Sequence, residues 1–397
     1  MNTRSPIEAT QEPSVLSVSF NDDASRFSVG LNSGFSVFNS HTCQLMTSRD
    51  FSAGLGLVQM MGNANYLALV GGGRSPKFPQ NKVIIWDDSK GKIALEITTL
   101  TAVRGVQISK SRVVVVLQNS VRVYAFEKQP KPLAKYETAD NLQGLCALSD
   151  RWLVFPGQTA GQVQVVELAT DNVSIIPAHT SRLQALQLSA DGELLATASE
   201  KGTIVRIFAT SSCARVAERR RGSEFATIYS LRFSPSGQML ACTSAKGSLH
   251  IFDVPSPGSS RKGGAPLSSS PNNRATSPHS PSIGVTAANN GSGPAAGDAT
   301  NKWGFLSSLP FGPFSDVYSF ASARFEAGDE PTSGGIPEAA VLGTTRPPKG
   351  VIGWIDEESL LVVGAGRDAR WEKYMLAEGE EGKTVLYREG WKRYLGT

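Results

Sequence analysis

LQLSADG at residues 186–192 recurs as LRFSPSG at residues 231–237, displaced by 45 positions along the chain. The similarity continues to the IF pairs at 207–208 and 251–252, where the displacement falls to 44. A period of about 40–45 residues with several short strands in each unit is typical of a β-propeller blade. The one additional residue in the first copy predicts a β-bulge in that blade.

Weaker copies of the same unit precede and follow these two repeats. Their short runs of alternating apolar and polar residues are bounded by Gly, Asn, Asp and Ser, which indicates β-strands. The clearest runs are VLSVSF at 15–20, YLALV at 66–70, RVVVV at 112–116, RWLVF at 151–155 and LLVV at 360–363. The sequence therefore predicts an all-β chain that folds as a single seven-bladed β-propeller. This propeller would span 13–397 after a flexible N-terminus at 1–12, with the two clear repeats as blades five and six.

The composition agrees with one propeller domain. Hydrophobic residues make up 40% of the 397 residues, and a propeller grows around one axis, so this length requires no second domain. No apolar run approaches the roughly 18 residues of a membrane helix, and the N-terminus lacks a secretory signal pattern. The four cysteines are isolated, which favours reduced thiols in a cytosolic protein without a metal site. A net charge of +4 is too small to indicate nucleic-acid binding by itself.

Residues 255–300 interrupt the repeat. The stretch contains no aromatic residue and is dominated by Ser, Pro, Gly, Ala and Asn. We predict that it is disordered, because it cannot bury enough apolar surface to offset the entropy of ordering. It follows IFDV at 251–254 and so separates the third strand of blade six from the outer strand. Four of its serines precede proline, and the stretch is either a tolerated linker or a regulatory segment for proline-directed kinases.

A short aromatic segment at 301–314 follows the insertion. Its glycines and prolines exclude a regular strand or a long helix. Its apolar side chains can pack on the blade or enter a bilayer, and we expect some of them to contact a membrane. These side chains are Trp303, Phe305, Leu306, Leu309, Phe311 and Phe314. VYSF at 317–320 and ARF at 323–325 are expected to resume the outer strand of blade six.

An arginine run, RRRG at 219–222, lies between the two clear repeats. Adjacent residues of an extended segment point to opposite sides, so two of these arginines can serve two neighbouring anion pockets. Guanidinium groups suit the geometry of phosphate, and Gly222 allows close approach to the backbone. The alternative is a solvated basic turn.

Hydroxyl and cationic side chains flank this run at matching positions of both repeats. One histidine alone is more often structural, but two histidines beside two hydroxyl clusters and paired arginines favour phosphate. The blade-five set is Ser199, Lys201 and Thr203 with the preceding His179, and the blade-six set is Ser244, Lys246, Ser248 and His250. We also expect Arg182, Arg215 and Arg232 to form a cationic rim, each adding about 1 kcal/mol near an anionic leaflet.

Together these motifs resemble the PROPPINs, the phosphoinositide-binding β-propellers of autophagy. Their signature is Phe/Leu-Arg-Arg-Gly between blades five and six, which Arg220, Arg221 and Gly222 match, whereas Arg219 replaces the usual apolar residue. AHTS at 178–181 and the blade-six motif KGSLHIF at 246–252 extend the likeness. LVGGG at 69–73 and NKVIIWDD at 81–88 are similar to the branch of the shorter human WIPI proteins.

The resemblance implies that the chain binds phosphatidylinositol 3-phosphate and the 3,5-bisphosphate, with no cofactor and no enzymatic activity. The first implied site consists of Arg220, His179, Ser199 and Thr203. The second implied site consists of Arg221, Ser244, Ser248 and His250. The interrupted loop of blade six corresponds to the membrane-inserting loop of the family, which supports bilayer contact by part of 301–314.

The resemblance also implies a cellular role and protein partners. The chain would be a cytoplasmic autophagy effector or scaffold, bound peripherally to preautophagosomal, endosomal and vacuolar membranes. Related members bind an autophagy lipid-transfer protein, and Asn21 and Asp23 occupy a Phe-Asn-x-Asp motif resembling that contact. The alternative for these two residues is an ordinary hairpin turn.

Other classes of function are less well supported by the residues. A propeller that binds proteins without any dependence on lipid is the main alternative, because that is the commonest use of this architecture. An enzyme is not expected, since no paired carboxylates, nucleophile–base motif or metal-ligand spacing stands out. Basic and aromatic residues are not interleaved as in RNA-binding surfaces, so no nucleic-acid partner is expected.

Overall fold

A computed structural model describes residues 13–255, 317–326, 332–333, 336–337, 349–366, 368–379 and 382–395. The predictions of a flexible N-terminus at 1–12, disorder at 255–300 and a membrane-inserting loop at 301–314 lie outside these ranges, apart from residue 255. The six apolar residues proposed for membrane contact, from Trp303 to Phe314, also lie outside them. Within the described ranges, no helix has the length and apolar character of a membrane span.

The described residues form seven four-stranded antiparallel sheets that follow one another along the chain, which confirms the predicted all-β seven-bladed propeller. Within each sheet the strands are paired in chain order. Blades one to four contain β1 (Val15–Phe20), β2 (Arg26–Leu31), β3 (Gly34–Asn39), β4 (Leu45–Asp50), β5 (Leu55–Met60), β6 (Tyr66–Gly71), β7 (Lys82–Asp87), β8 (Lys92–Thr98), β9 (Val103–Ile108), β10 (Arg112–Leu117), β11 (Ser120–Ala125), β12 (Pro132–Glu137), β13 (Ala147–Leu148), β14 (Trp152–Pro156), β15 (Gln162–Glu167) and β16 (Val173–Pro177).

The remaining blades follow the same plan. Blades five to seven contain β17 (Leu183–Leu188), β18 (Leu194–Ser199), β19 (Ile204–Ala209), β20 (Arg215–Arg220), β21 (Ile228–Phe233), β22 (Met239–Ser244), β23 (Ser248–Asp253), β24 (Ala321–Arg324), β27 (Val351–Trp354), β28 (Ser359–Val363), β29 (Arg370–Glu378) and β30 (Thr384–Arg393). Two short strands between blades six and seven, β25 (Thr332–Ser333) and β26 (Ile336–Pro337), pair only with each other.

The apolar pattern of each strand follows its place in the blade. The second strand is covered by a neighbouring blade on both faces, so β10 reads RVVVVL and buries five of its six residues. The fourth strand lies at the outer edge, and β12 is exposed at every second residue. Buried side chains cluster between each pair of neighbouring blades, as in the contact of Val114 and Val116 with Leu153. The hydrophobic core is therefore distributed around the ring.

The ring closes by packing of blade seven on blade one, because each of these blades takes all four strands from one end of the chain. The backbones of Val15 and Gly366 exchange two hydrogen bonds of 3.0 Å. The buried indole of Trp371 donates to the Ser40 carbonyl at 2.9 Å. Closure therefore depends on the contact between two complete sheets.

The length difference between the two clear repeats has a different origin from the predicted β-bulge. β17 and β18 are displaced by 45 positions from β21 and β22, whereas β19 is displaced by 44 from β23. The pairing of β18 with β19 shows no register shift, so the additional residue lies in the turn at 200–203. The additional residue is therefore part of this turn, which contains Gly202 at φ +61°, and is not a β-bulge. Blade five does have register shifts, between Leu183 and Ala185 and between Ile207 and Phe208, but they do not account for the additional residue.

The chain returns to blade six after the insertion. β24 pairs with β23 from Ala321 to Arg324, which confirms the outer strand predicted around 323–325. Residues 317–320 precede that strand and do not belong to it, contrary to the prediction. Tyr318 instead forms a parallel bridge with Arg220 of blade five, and 45% of its surface is exposed.

Candidate functional site

The three arginines at the end of β20 point to two sides of blade five. Arg219 lies against blade six with 8% of its surface exposed, and its Nε donates to the Asp253 carbonyl at 2.9 Å. Arg220 lies beside Glu218, whose pKa is lowered mainly by the Arg206 hydrogen bond and also by the charges of nearby arginines. The Arg220 guanidinium makes no hydrogen bond or ion pair with the described part of the chain. Arg220 is thus the less constrained cation.

Arg221 is fixed by backbone carbonyls of blade five and of the segment that leads to blade six. Its Nε donates to the Gly202 carbonyl at 2.6 Å, and its Nη2 donates to the Glu224 carbonyl. The side chain is buried, and its charge acts on His250 of blade six. Arg220 and Arg221 therefore serve different sides, as the alternation of an extended segment predicts.

Gly222 leaves open space beside the arginines. A Cβ at this position would meet no atom within 4 Å, and its φ lies outside the left-handed region. Neither steric crowding nor backbone conformation in the described structure requires glycine here. The missing side chain instead leaves the backbone accessible.

The blade-five residues meet where three strands end. Ser199 ends β18, Thr203 precedes β19 and Arg220 ends β20. His179 lies on the same side, with Nε2 3.0 Å from Thr197 Oγ1. Burial, and secondarily the Arg206 charge, lowers the pKa of His179 to about 4, so its imidazole is neutral at pH 7. The blade-five edge therefore combines one arginine with neutral hydrogen-bonding groups.

Arg206 is a constituent of this edge that was not recognised from the sequence. Its Nη1 donates to the Ala178 carbonyl at 2.6 Å, and its Nε donates to Glu218 at 2.8 Å. Because Ala178 directly precedes His179, Arg206 fixes the backbone from which that imidazole projects. When the two repeats are aligned with the shift of 44, Arg206 falls at the position of His250. This equivalence is the signal by which Arg206 could have been recognised from the sequence.

The blade-six residues form a continuous hydrogen-bonded chain. Ser244 Oγ lies 3.0 Å from Ser248 Oγ, which lies 3.1 Å from His250 Nε2. His250 Nδ1 in turn lies 3.1 Å from Ser319 Oγ, beyond the insertion. Burial, followed by the Arg221 charge, lowers the pKa of His250 to about 4. The structure thus brings the predicted Ser244, Ser248 and His250 together and adds Ser319.

A comparison with protein families decides how this ring is classified. The PROPPIN family model matches residues 14–270. The chain belongs to the PROPPIN family. This PROPPIN is 49% identical over 428 residues to SVP1-like protein 2 of Neurospora crassa, covering 100% of this chain and 99% of the relative.

Two further comparisons extend the assignment. Autophagy-related protein 18e of Arabidopsis thaliana is 38% identical over 255 residues, which are 62% of this chain and 67% of the relative. The structure of Kluyveromyces lactis Hsv2 superposes with a TM-score of 0.69 at 20% identity, covering 96% of this chain and 99% of the other. This PROPPIN therefore has an autophagy-related relative and shares the Hsv2 fold.

Arg219 occupies the position that PROPPINs usually make apolar. Its side chain is buried between two blades, and its guanidinium donates to the backbone carbonyls of Asp253 and Glu218. A long side chain with a polar tip can fill an apolar position in this way.

The predicted cationic rim was wrong for two of its three members. Arg215 begins the strand that Arg220 ends, which separates them by about 17 Å at 3.4 Å per residue. Arg232 lies on the inner strand β21 and donates to the Asp22 carbonyl of blade one at 3.0 Å. Only Arg182, which pairs with Asp140 at 3.3 Å, lies at the same end of blade five as Arg220.

Asn21 and Asp23 lie in the turn between β1 and β2 of blade one, and their side chains are hydrogen-bonded to Asn63 of blade two. The buried Asn21 donates to Asn63 at 2.9 Å and accepts from the Arg26 backbone at 3.0 Å. Asp23 is exposed and accepts from Asn63 at 2.9 Å. Partial burial acts to raise the pKa of Asp23, but hydrogen bonds, including those from Ser25, hold it below the ordinary value. The contacts of Asn21 are those of an ordinary hairpin turn, the alternative given above for these residues. Asp23 is exposed and is therefore the one of the two that a partner could contact.

Proposed function

We propose that this PROPPIN binds phosphatidylinositol 3-phosphate and phosphatidylinositol 3,5-bisphosphate and acts as an autophagy effector on membranes. It would act at preautophagosomal, endosomal and vacuolar membranes from the cytoplasm. The observation that carries the proposal is the divergence of Arg220 and Arg221, each beside its own hydroxyl and imidazole groups. Two such pockets at neighbouring blades match two headgroups better than one solvated basic turn.

The chemistry of each pocket suits a phosphate monoester. Such a phosphate carries about −1.5 to −2 charges at pH 7 and accepts hydrogen bonds only. One arginine supplies positive charge, while neutral imidazole and hydroxyl groups supply donors without repelling that arginine. Two of the five N–H groups of Arg221 donate to backbone carbonyls, and the other three can donate to a ligand.

Both ends of the insertion contact the arginine run, which supports a shared membrane-facing side. The Asp253 carbonyl accepts from the Arg219 side chain, and the Val317 carbonyl accepts from the Arg220 backbone at 2.6 Å. We propose that the intervening apolar residues, including Trp303 and Phe311, enter the bilayer while the arginines bind headgroups.

Single arginine variants test the lipid sites. Liposomes with and without phosphatidylinositol 3-phosphate would be incubated with wild type, Arg220→Ala, Arg221→Ala and the double variant. We expect at least about tenfold weaker binding for each single change, equivalent to about 1.4 kcal/mol, and no lipid-dependent binding for the double variant. Undiminished binding by the double variant would exclude the proposed sites.

The controls separate binding from folding. Arg221→Ala removes two hydrogen bonds to carbonyls and should lower the free energy of unfolding by about 1–3 kcal/mol, so melting curves must accompany it. Arg220→Ala removes no described side-chain bond, so its effect on binding can be interpreted directly. Arg215→Ala removes an exposed arginine from the opposite end of the same strand and should bind as wild type.

The insertion has its own test. Trp303→Asp and Phe311→Asp should weaken binding to liposomes but leave binding of a soluble inositol phosphate headgroup unchanged. Equal losses for liposomes and headgroup would show that these side chains act through the pockets and do not enter the bilayer.

We further propose that Asp23 contributes to a protein contact, with the autophagy lipid-transfer protein as the partner. Its ionised, exposed carboxylate on a turn fixed by Asn63 supports this assignment. Asp23→Lys should reduce binding of the partner and leave liposome binding unchanged. Retained partner binding would restrict Asp23 to the hairpin turn, and Asn21→Ala should chiefly lower the melting temperature.

A further inference from the structure

His250 is bonded through both ring nitrogens, with Ser248 at Nε2 and Ser319 at Nδ1, each at 3.1 Å. We propose that Ser319 is a positioning residue, which donates to Nδ1 so that the His250 Nε2–H donates to Ser248 and the Ser248 hydroxyl proton is directed toward a phosphate in the blade-six pocket. The proposal rests on the proposed lipid sites and adds a residue from beyond the insertion.

The hydrogen bonds that link Ser319, His250 and Ser248 can run in either of two directions. A neutral imidazole carries one N–H and one acceptor nitrogen. If the Ser319 hydroxyl donates to Nδ1, then Nε2–H donates to Ser248, and the Ser248 proton remains for another acceptor. If Nδ1 carries the proton instead, Ser248 must donate to Nε2, and the Ser248 proton is then not available to a ligand.

Only the first arrangement serves an anion. Phosphate oxygens accept hydrogen bonds, so the pocket needs hydroxyl protons directed at it. Ser244 lies 3.0 Å from Ser248 and would be aligned by the same chain. The charge of Arg221 disfavours a second proton on the His250 ring. It therefore keeps the imidazole in the neutral form that this arrangement of hydrogen bonds requires.

The position of Ser319 also joins the pocket to the returning chain. Two residues earlier, the Val317 carbonyl accepts from the Arg220 backbone at 2.6 Å. One segment of three residues therefore contacts the backbone of Arg220 and the imidazole of His250. A local repeat could not supply this contact, because no other described blade receives a residue from beyond an insertion of this length.

The experiment uses the full chain in the Arg220→Ala background, so that blade six dominates binding. Ser319→Ala should weaken binding of a soluble inositol 1,3-bisphosphate about fivefold, the effect of one neutral hydrogen bond. Ser319→Thr keeps the hydroxyl and should restore binding. Ser322→Ala is the matched control, since Ser322 faces His250 across the strands but its hydroxyl makes no hydrogen bond within the described residues.

Nitrogen-15 NMR of the histidine ring provides a readout that a merely structural role would not change. In wild type, Nδ1 of His250 should have the shift of an unprotonated nitrogen that accepts a hydrogen bond, and Ser319→Ala should remove that signature. A protonated Nδ1 in wild type would overturn the proposal. So would unchanged binding by Ser319→Ala while the double arginine variant fails to bind. If the double arginine variant binds normally, the lipid sites themselves are wrong.

Discussion

Arg206 and His250 occupy the same position in neighbouring blades, the third residue of β19 and of β23. They pair in register with Thr197 and Cys242 on the preceding strands. Arg206 pairs with Glu218 on the outer strand β20 and donates to the Ala178 carbonyl, whereas His250 is hydrogen-bonded to serine hydroxyl groups. The two proposed pockets therefore differ in chemistry, although they lie at equivalent positions of one repeat.

Arg206→Gln should impair the blade-five pocket indirectly. The variant loses the ion pair with Glu218 and the bond that fixes the residue before His179, so we expect about 1–2 kcal/mol lower stability. Headgroup binding measured in the Arg221→Ala background should weaken several-fold. Arg215→Gln, which also contacts Glu218 but is exposed, is the control. Normal binding by a folded Arg206→Gln protein would contradict the positioning role.

Arg219→Leu, which restores the residue type usual in the family, should preserve lipid binding. The leucine forfeits the hydrogen bonds of the guanidinium, including that to the Asp253 carbonyl, but fills an apolar position, so stability should change by no more than about 1 kcal/mol. Arg219→Asp should lower the melting temperature strongly, because it places a carboxylate in a buried position beside another acceptor. A large loss of liposome binding by a stable Arg219→Leu protein would show that all three arginines bind lipid.

Acid should destabilise the fold through the two pocket histidines. The pKa values of His179 and His250 are lowered from 6.5 to about 4, chiefly by burial, so the unfolded chain binds more protons between these values. The contribution of these two histidines to the free energy of unfolding is fully present above about pH 6.5. It is lost as the pH falls toward 4, by at most about 3 kcal/mol for each histidine.

Melting curves at pH 7 and pH 4.5 check this linkage. The double variant His179→Gln, His250→Gln should lose less stability than wild type between the two pH values. An identical pH dependence for wild type and the double variant would assign acid sensitivity to other groups.

The blades could be predicted from sequence because their signal is local: each strand alternates apolar residues, and the repeat recurs at a fixed spacing. The hydroxyl groups proposed for the two sites lie at equivalent positions of the repeat, so the same periodicity was enough to suggest them. The rim prediction failed because proximity in sequence does not give strand direction, so Arg215 and Arg220 lie at opposite ends of β20. Ser319 could not be found, because its contact with His250 joins segments that the insertion separates by 69 positions.

Closure of the ring predicts where the fold is most vulnerable. Trp371 packs between blades seven and one, and its indole N–H donates to the Ser40 carbonyl at 2.9 Å. Trp371→Phe should cost about 1 kcal/mol through the lost hydrogen bond, and Trp371→Ala about 3–5 kcal/mol through the cavity. Trp391→Ala, which removes a half-exposed tryptophan from the same blade, should cost much less.

Neither proposed pocket contains a residue of blade one or seven, so headgroup affinity measured well below the melting temperature should be unchanged in both Trp371 variants. A loss of affinity in folded Trp371→Phe protein would show that the closing contact is coupled to the pockets across the ring.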